Sequence, residues 1–283
     1  MLLFKQVDFM QAWLSKQAAA GKQIGFVPTM GALHEGHLAL VRQSRTENDQ
    51  TVVSIFVNPT QFNQPEDLKA YPRLPGPDIL ALSREGVDVL FMPLQEAVYP
   101  PGLDMRLHID LQGLDRPMEG QFRPGHFAGV AQVVHRLLDI VRPHRLYMGQ
   151  KDYQQTAVIR HLLDHTDHVA QLQVHPTVRE KDGLAMSSRN LRLSPDLRQR
   201  AVLLYQTLLW VKKAYQSGQP VAEIEAKAMQ RLQQPDFHPE YVKIVDGVTL
   251  QGVQHPEDHT NVVCCLACWA GSVRLIDNLI LSA

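Results

Sequence analysis

Two histidines lie three residues apart in the segment 31–37, GALHEGH. The segment follows a predicted strand, so His34 and His37 are expected to share one face at the start of a helix. Backbone N–H groups and the helix dipole favour an anion there, and an imidazole can stabilise charge that grows on a phosphorus atom. The alternative is a zinc pair, but H-x-x-H supplies only two ligands and differs in spacing from H-E-x-x-H.

A second segment, KDGLAMSSRN at residues 181–190, carries donors that suit phosphate oxygens. Ser187 and Ser188 offer hydroxyls, and Arg189 offers a guanidinium. Gly183 is expected to supply the backbone freedom that a moving clamp needs. Neither segment has the glycine spacing of a P-loop or of a dinucleotide-binding fingerprint. Together they indicate a different site, which grips a nucleoside triphosphate from two sides.

Polar residues also follow two other predicted strands. Lys151 lies in GQKD at a strand-to-helix junction, and ligands of open α/β sheets bind outside the carboxyl ends of strands. Lys151 can contact a phosphate as a point charge, although the pattern alone also fits a solvated helix N-terminus capped by Asp152. Gln61 and Gln155 add two amides, which suit a small substrate with hydroxyl and carboxylate groups. Taken singly, each glutamine also fits an ordinary surface position.

The overall composition is that of an ordinary globular protein. The chain has 283 residues, of which 45% are hydrophobic and 20% charged, with a net charge of −1. This length suits one large or two ordinary domains. A charge near zero gives no field that recruits nucleic acid or acidic membrane, so neither is expected as a partner. The first residues lack the apolar core of a signal peptide and no apolar run could span a bilayer, so we expect a cytoplasmic protein.

Three cysteines, Cys264, Cys265 and Cys268, are clustered in one short run. An odd, clustered count does not fit a disulfide framework. Cys265 and Cys268 form a C-x-x-C, which also occurs in zinc and redox sites, but no second C-x-x-C completes a zinc site. The surrounding run NVVCCLACW instead predicts a core strand in which the thiols pack as small apolar groups.

Most of the other histidines show no ligand spacing along the chain. A histidine without such spacing more often has a surface or structural role than a ligand role. These roles are expected for His126, His135, His144, His161, His165, His168 and His175.

Strand and helix signals alternate through the first half of the chain. Apolar or β-branched runs predict strands at residues 24–28, 51–57, 87–92, 106–109, 145–148 and 169–174. Apolar spacing predicts helices at residues 37–48, 78–85, 127–141 and 151–164. Polar stretches rich in Pro and Gly predict loops at residues 58–77 and 113–125. Strands separated by helices favour an α/β fold with a doubly wound parallel sheet.

The pattern changes after about residue 176. Ser194-Pro195 predicts the start of one long helix through Tyr215, and Gln219-Pro220 predicts the start of another. Strands are predicted at residues 241–245, 261–269 and 273–276. We therefore expect a ligand-binding domain at residues 1–176 and a smaller α+β lid domain at residues 177–283.

The segments, taken together, resemble the pantoate–β-alanine ligase family. A lone H-x-G-H element would be weak evidence, whereas an ordered set of segments is specific. The matching segments run in family order over most of residues 24–193: PTMGALHEGH at 28–37, FVNPTQF at 56–62, YPR at 71–73, RPGHF at 123–127, GQKD at 149–152 with Gln155, and DGLAMSSRN at 182–190. The C-terminal third is similar mainly in size and texture.

The resemblance implies a nucleotidyltransferase-like Rossmann fold and two half-reactions. Pantoate attacks the α-phosphorus of Mg-ATP to give pantoyl adenylate and pyrophosphate, and β-alanine then displaces AMP to give pantothenate. The resemblance further implies a homodimer, with no tightly bound organic cofactor. The Mg²⁺ ligands stay unassigned, because PGPD at residues 75–78 stands where many relatives carry an acidic run.

The resemblance also implies roles for individual residues. His37 is expected to be catalytic, with His34 and Lys151 beside it, and Gln61 and Gln155 are expected to hold pantoate, with Gln61 also near β-alanine. Residues expected to contact ATP are Met30, Gly31, Ala32, Leu33, His34, Glu35, Gly36, His37, Gly149, Gln150, Lys151, Asp152, Val178, Met186, Ser187, Ser188 and Arg189.

Two other functions compete with this interpretation. Phosphopantetheine and nicotinamide-mononucleotide adenylyltransferases also have an H-x-G-H element, but they typically continue with Ser-Ser/Thr-x-x-Arg. The segments MSSRN and GQKD-x-x-Q favour the ligase instead. An RNA-binding or zinc-dependent structural module is opposed by the near-zero net charge and the isolated C-x-x-C.

Overall fold

The computed structural model describes residues 1–63, 65–102, 107, 109–255 and 258–282. Its first half builds a single parallel sheet with the strand order β1-β4-β3-β2-β5-β6. The strands are β1 (Leu2–Phe4), β2 (Ile24–Thr29), β3 (Gln50–Ile55), β4 (Val89–Phe91), β5 (Arg145–Gly149) and β6 (Gln171–His175). The doubly wound α/β fold predicted from the alternating pattern is confirmed.

Helices cover both faces of this sheet. The helices of this half are α1 (Val7–Ala19), α2 (Glu35–Glu47), α3 (Pro65–Ala70), α4 (Pro75–Arg84), α5 (Gln95–Val98), α6 (Glu119–Phe122), α7 (His126–Val141) and α8 (Tyr153–Asp164). Successive residues of β2 serve opposite faces, as a strand requires. Phe26 joins a core with α1, α7 and α8, whereas Val27 joins a core with α2 and α4. In the described ranges, no helix is both long enough and apolar enough to cross a membrane.

A second, antiparallel sheet has the order β7-β8-β9. Its elements are α9 (Pro195–Arg200), α10 (Leu203–Gln216), α11 (Val221–Leu232), β7 (Phe237–Asp246), β8 (Val262–Ala270) and β9 (Val273–Ser282). Helices α10 and α11 pack on one face of this sheet around Leu208, Ile224 and Leu266, which are fully buried. The smaller α+β unit predicted from the pattern is confirmed.

The three cysteines lie in the middle of β8 as buried, unpaired thiols. Cys264 and Cys268 face the core beneath α10 and α11, whereas Cys265 faces the core shared with α7 and α8. Burial raises the pKa of all three thiols, which keeps them protonated and unreactive. The predicted core strand is therefore confirmed.

Several element boundaries differ from those predicted. The helix predicted from Ser194 through Tyr215 is broken at Ala201, which separates α9 from α10. The predicted loop 58–77 contains a 3₁₀ turn at Pro59–Gln61, the helix α3 and the start of α4, because prolines fit the first turn of a helix. The predicted loop 113–125 contains α6. Of the predicted strand 106–109, Leu107 and Ile109 are described and lie outside any strand, and the other two residues lie outside the described residues. Elements β1 and α1 were not predicted.

Candidate active site

A cavity opens beside β2, where the order in which successive strands join the sheet reverses. From β2 the chain proceeds to β3 on one side, while β5 pairs with the other side of β2. Ligands of doubly wound sheets bind in the crevice at such a point. Met30, after β2, and Gly149, at the end of β5, both line the cavity.

Most of the predicted site residues meet in this cavity. Those that line it are Met30, His34, Gly36, His37, Gly149, Lys151, Asp152, Val178, Met186, Ser187, Ser188 and Arg189 from the expected ATP set, and Gln61 and Gln155 from the expected substrate set. The first motif, residues 31–37, and the second motif, residues 181–190, are far apart in sequence. The fold, and not local structure, therefore assembles the site.

Five residues of the expected ATP set are not part of the lining: Gly31, Ala32, Leu33, Glu35 and Gln150. Glu35 forms an ion pair with Arg42 on the outer side of α2. Gln150 donates a hydrogen bond to Asn278 in β9 at 3.1 Å. Their contact with ATP stays a prediction. Such a contact would have to be made by their backbone atoms.

The turn before α2 is held by a buried carboxylate. Ala32 has a left-handed backbone with a φ of 49°, which is strained for a residue with a Cβ. Asp78 accepts hydrogen bonds from the N–H groups of Ala32 at 2.9 Å and of Leu33 at 2.8 Å. These bonds stabilise the turn that aims the first motif at the cavity. They also engage both oxygens of Asp78, which is 3% exposed and so has a structural role.

The two histidines of the first motif are fixed by backbone donors. His34 caps α2, and its Nδ1 accepts from the N–H of Gly36 at 3.2 Å. His37 Nδ1 accepts from the N–H of His34 at 3.4 Å. Because Nδ1 is the acceptor in both rings, the neutral tautomer carries its proton on Nε2. Each imidazole therefore retains one N–H donor.

Burial keeps both imidazoles neutral. Burial and, to a smaller extent, the charge of Lys151 lower the pKa of His34 to about 4, against the opposing effect of Asp152. Burial also lowers the pKa of His37 well below its usual value, with further contributions from His34 and Lys151. The rings lie 4.1 Å apart between centroids. At neutral pH the pair is a set of fixed, uncharged donors.

Lys151 is positioned by the second sheet. It lies in the 3₁₀ turn Gln150–Asp152 that follows β5. Asn278 in β9 donates to the carbonyl oxygens of Gln150 at 2.9 Å and of Lys151 at 2.8 Å. A side chain from the smaller sheet thus fixes the backbone that presents the lysine to the cavity.

The second motif contacts the first directly. The Ser188 hydroxyl donates to the carbonyl oxygen of Ala32 at 3.0 Å, and Ser187 caps the next turn by accepting from the N–H of Arg189. Gly183 has a φ of 99°, and a Cβ there would lie 2.3 Å from the ring of Tyr205. Gly183 therefore serves close packing in a left-handed turn, and its contribution to the mobility of the loop stays a prediction.

The two glutamines differ in their surroundings. Gln61 is 8% exposed, and its Oε1 accepts from the Asn58 amide at 3.3 Å. Its Nε2 lies 3.2 Å from the sulfur of Met30. Gln155 is half-buried on α8, one turn beyond Lys151, and faces the same cavity. The two amides therefore reach one space from different sides of the crevice.

His126 and Arg123 also line the cavity, although neither was assigned a role in it. Arg123 donates to His126 Nε2 at 3.2 Å, so His126 Nδ1 carries the proton and donates to the carbonyl oxygen of Gln61 at 2.8 Å. Burial and the charge of Arg123 together lower the pKa of His126 to about 4. The role of His126 is structural, but it supports a predicted substrate residue. The sequence signal that could have placed both residues in the site was the RPGHF segment, residues 123–127, which is one of the segments that resemble the family.

The structure places the remaining histidines in different surroundings. His144 accepts from the N–H of Ile24 at 3.0 Å, and His161 bonds the carbonyl oxygen of Asp110, so structural roles hold for both. His175 lines the cavity. His135 and His168 contact each other near the surface, a proximity that spacing along the chain did not indicate.

A doubly wound sheet whose switch point gathers cations and hydrogen-bond donors defines a nucleotide-binding α/β protein. Residues 2–280 match the profile of the pantoate–beta-alanine ligase family. The chain therefore belongs to the pantoate–beta-alanine ligase family, and it is an enzyme of the ligase class. The family resemblance predicted from the motifs is confirmed.

Individual relatives match over nearly the whole chain. A pantothenate synthetase from Vibrio parahaemolyticus is 45% identical over 98% of this chain and 92% of its own length. One from Thermotoga petrophila is 45% identical over 99% of this chain and all of its own length. The crystal structure of the Thermus thermophilus pantothenate synthetase covers all of both chains at 41% identity with a TM-score of 0.93.

One solved relative carries ligands. The Francisella tularensis pantoate–beta-alanine ligase, crystallised in complex with β,γ-ATP and β-alanine, covers 99% of this chain and 98% of its own at 35% identity. Its TM-score is 0.81. That protein binds a nucleotide and an amino acid together.

Proposed function

We propose that the chain activates pantoate with ATP in this cavity and joins it to β-alanine. A carboxylate oxygen of pantoate attacks the α-phosphorus, and the bond to pyrophosphate breaks. The β-alanine nitrogen then attacks the acyl carbon of pantoyl adenylate, loses a proton and releases AMP. The observation that carries the proposal is the meeting of both motifs and both glutamines around one crevice at the switch point. The ligands of the Francisella relative support it.

Charge stabilisation is the role proposed for His34, His37 and Lys151. The transition state of adenylate formation needs donors and cations on phosphate oxygens, and it needs no protein nucleophile. The Nε2–H groups of two neutral, backbone-fixed imidazoles are donors of this kind, since they require little reorganisation when charge develops. Lys151 supplies the positive charge, with its side chain 18% exposed.

The second motif and the glutamines are proposed to hold the remaining groups. Ser187 and Arg189 suit the phosphates of ATP, because hydroxyl and guanidinium groups donate to phosphate oxygens, and Ser188 would have to release the carbonyl oxygen of Ala32 to join them. Gln61 and Gln155 suit the hydroxyl and carboxylate groups of pantoate. The apolar wall of α7, which includes Val130, Val133, Val134 and Leu137, suits the two methyl groups of pantoate.

Magnesium enters the proposal as part of the ATP substrate. Mg²⁺ is typically held by phosphate oxygens, waters and one or two carboxylates. Among the described residues, the carboxylate in the cavity lining is that of Asp152, whose side chain is 48% exposed. Asp152 therefore fits this contact, whereas Asp78 is engaged by the turn before α2.

The family resemblance and the sequence pattern support three further parts of the proposal. The chain acts as a homodimer in the cytoplasm. Residues 1–176 form the domain that binds ATP and pantoate. Residues 177–283 form a smaller lid domain, which contributes the second motif and the β9 contact to the 3₁₀ turn at Lys151.

The decisive experiment follows the products of the purified protein. With pantoate, β-alanine and Mg-ATP, we expect AMP and pyrophosphate in equal amounts to pantothenate. Omitting β-alanine should leave pantoate-dependent exchange of labelled pyrophosphate into ATP, because the first half-reaction is reversible. Formation of ADP, or exchange that does not need pantoate, would refute the adenylate route.

A further inference from the structure

Three side chains of metal-ligand type meet on the surface behind the cavity wall. His135 and Asp139 lie one turn apart on α7, and His168 lies between α8 and β6. His168 Nε2 is 2.9 Å from His135 Nδ1. The Asp139 carboxylate has one oxygen 3.8 Å from His135 Nε2 and the other 4.0 Å from His168 Nε2. No step of the proposed reaction uses these three residues.

We propose that His135, Asp139 and His168 bind one divalent transition-metal cation of the zinc class. A tetrahedral zinc ion with bonds of about 2.0–2.1 Å holds its ligand atoms roughly 3.3 Å apart. The facing nitrogens of His135 and His168 are 2.9 Å apart, and one ligand atom from each of the three side chains lies within 4.8 Å of the other two. Rotations of surface side chains are enough to reach the tetrahedral values. A water molecule takes the fourth position, as it does in other sites with three protein ligands.

The donor set selects the class of metal. Two imidazoles with one carboxylate suit zinc, nickel or copper, whereas magnesium and calcium prefer oxygen ligands throughout. Asp167 lies close enough to act electrostatically on His168, so the site has a second carboxylate nearby. Among the described residues, no other three histidine, cysteine or acidic side chains converge in this way.

The position of the cluster gives the metal a structural role. Helix α7 carries His135 and Asp139 on its outer side, and its inner side lines the cavity through Val130, Val134 and Leu137. The segment with His168 leads into β6, which ends at His175 in the same cavity wall. A bound cation therefore ties two walls of the crevice together from outside. No contact with ATP or pantoate is required.

The test measures binding of zinc alone to metal-free protein by calorimetry near neutral pH, with the melting temperature as a second readout. We expect one equivalent of Zn²⁺ bound at this site and a higher melting temperature. His135→Ala and His168→Ala should abolish both effects. Asp139→Asn should weaken binding by at least about tenfold, since even outer-shell partners of metal ligands cost that much.

Two controls separate this site from other imidazoles. His165→Ala removes a nearby surface histidine that stacks on His161 instead, and it should retain zinc binding. His37→Ala removes a cavity imidazole and should also retain it. Zinc affinity that is unchanged in both His135→Ala and His168→Ala would overturn the proposal, as would the absence of binding to the parent chain. The two ligands lie on different elements, so a folding defect in one variant leaves the other to decide.

Discussion

Arg189 donates a hydrogen bond to the carboxylate of Asp67 at 2.7 Å, and Arg192 donates to the other oxygen at 3.0 Å. This contact joins the second motif, whose Arg189 lines the cavity, to α3. Burial disfavours the charge on Asp67, but Arg189 and Arg192 outweigh that effect and lower its pKa. The guanidinium proposed to bind phosphate is thus held by a protein carboxylate, with which ATP has to compete.

Asp67→Asn should improve the use of ATP. The amide keeps the shape but loses the charge, so Arg189 becomes easier to transfer to a phosphate. An ion pair of this exposure is worth about 0.5–1 kcal/mol, so we expect the KM for ATP to fall by about two- to fivefold. Arg189→Ala should raise that KM and increase AMP release when β-alanine is absent. An unchanged KM in Asp67→Asn would contradict the competition.

Loss of either motif histidine should slow adenylate formation. Removing one fixed donor to a developing charge typically costs on the order of 100–1,000-fold in rate. We expect this loss for His37→Ala and His34→Ala in pantoate-dependent pyrophosphate exchange. His34→Asn is the informative companion, because asparagine retains an acceptor for the helix cap. Near-normal exchange in all three variants would remove the imidazoles from the mechanism.

The rate of pantoate-dependent pyrophosphate exchange should not change with pH in the way that the titration of an ordinary histidine would cause. The neutral imidazoles are the competent donors, and burial lowers the pKa of His34 to about 4 and that of His37 well below its usual value. Lowering the pH from 7.5 to about 5.5 should therefore leave both rings neutral and the exchange rate nearly constant. A decline centred near pH 6.5, the usual histidine pKa, would show that the rings titrate freely.

Gln155 should affect pantoate more than ATP. Its amide lies in the cavity on α8, and removing a hydrogen bond to a small ligand costs about 1 kcal/mol. Gln155→Ala should raise the KM for pantoate by about fivefold and leave the KM for ATP nearly unchanged. Steady-state kinetics with each substrate varied in turn provide the measurement. A change in the KM for ATP alone would contradict the assignment of Gln155 to pantoate.

Cys265 should matter for stability and not for catalysis. It is 5% exposed in the middle of β8, where truncation leaves a small cavity. Cys265→Ala should lower the free energy of unfolding by about 1 kcal/mol, and chemical denaturation measures this loss. Activity per folded molecule should stay at the level of the parent chain. A loss of activity without a loss of stability would give the thiol a chemical role.

The sequence predicted the parts of the site that depend on local patterns. The residues of the first motif lie after β2 and those around Lys151 lie after β5, so a strand-end rule was enough to predict that they share a crevice. Asp67 and Asn278 could not be predicted, because their roles arise from contacts between distant elements. The pairing of His135 with His168 was missed for the same reason. The break at Ala201, which is fully buried, could not be predicted from helix propensity.

The junction of β2 with β5 has a consequence for how the protein folds. The N–H of Ile24 bonds the ring of His144, which is 120 residues away, and the crevice lies between these two strands. Strands β2, β3 and β4 can associate while the intervening chain is short, but the crevice needs the closure of a long loop. A partly folded chain would therefore carry a half-sheet with one unpaired central edge. Such an edge would be prone to pair with another chain, so we expect aggregation to compete with folding until β5 is in place.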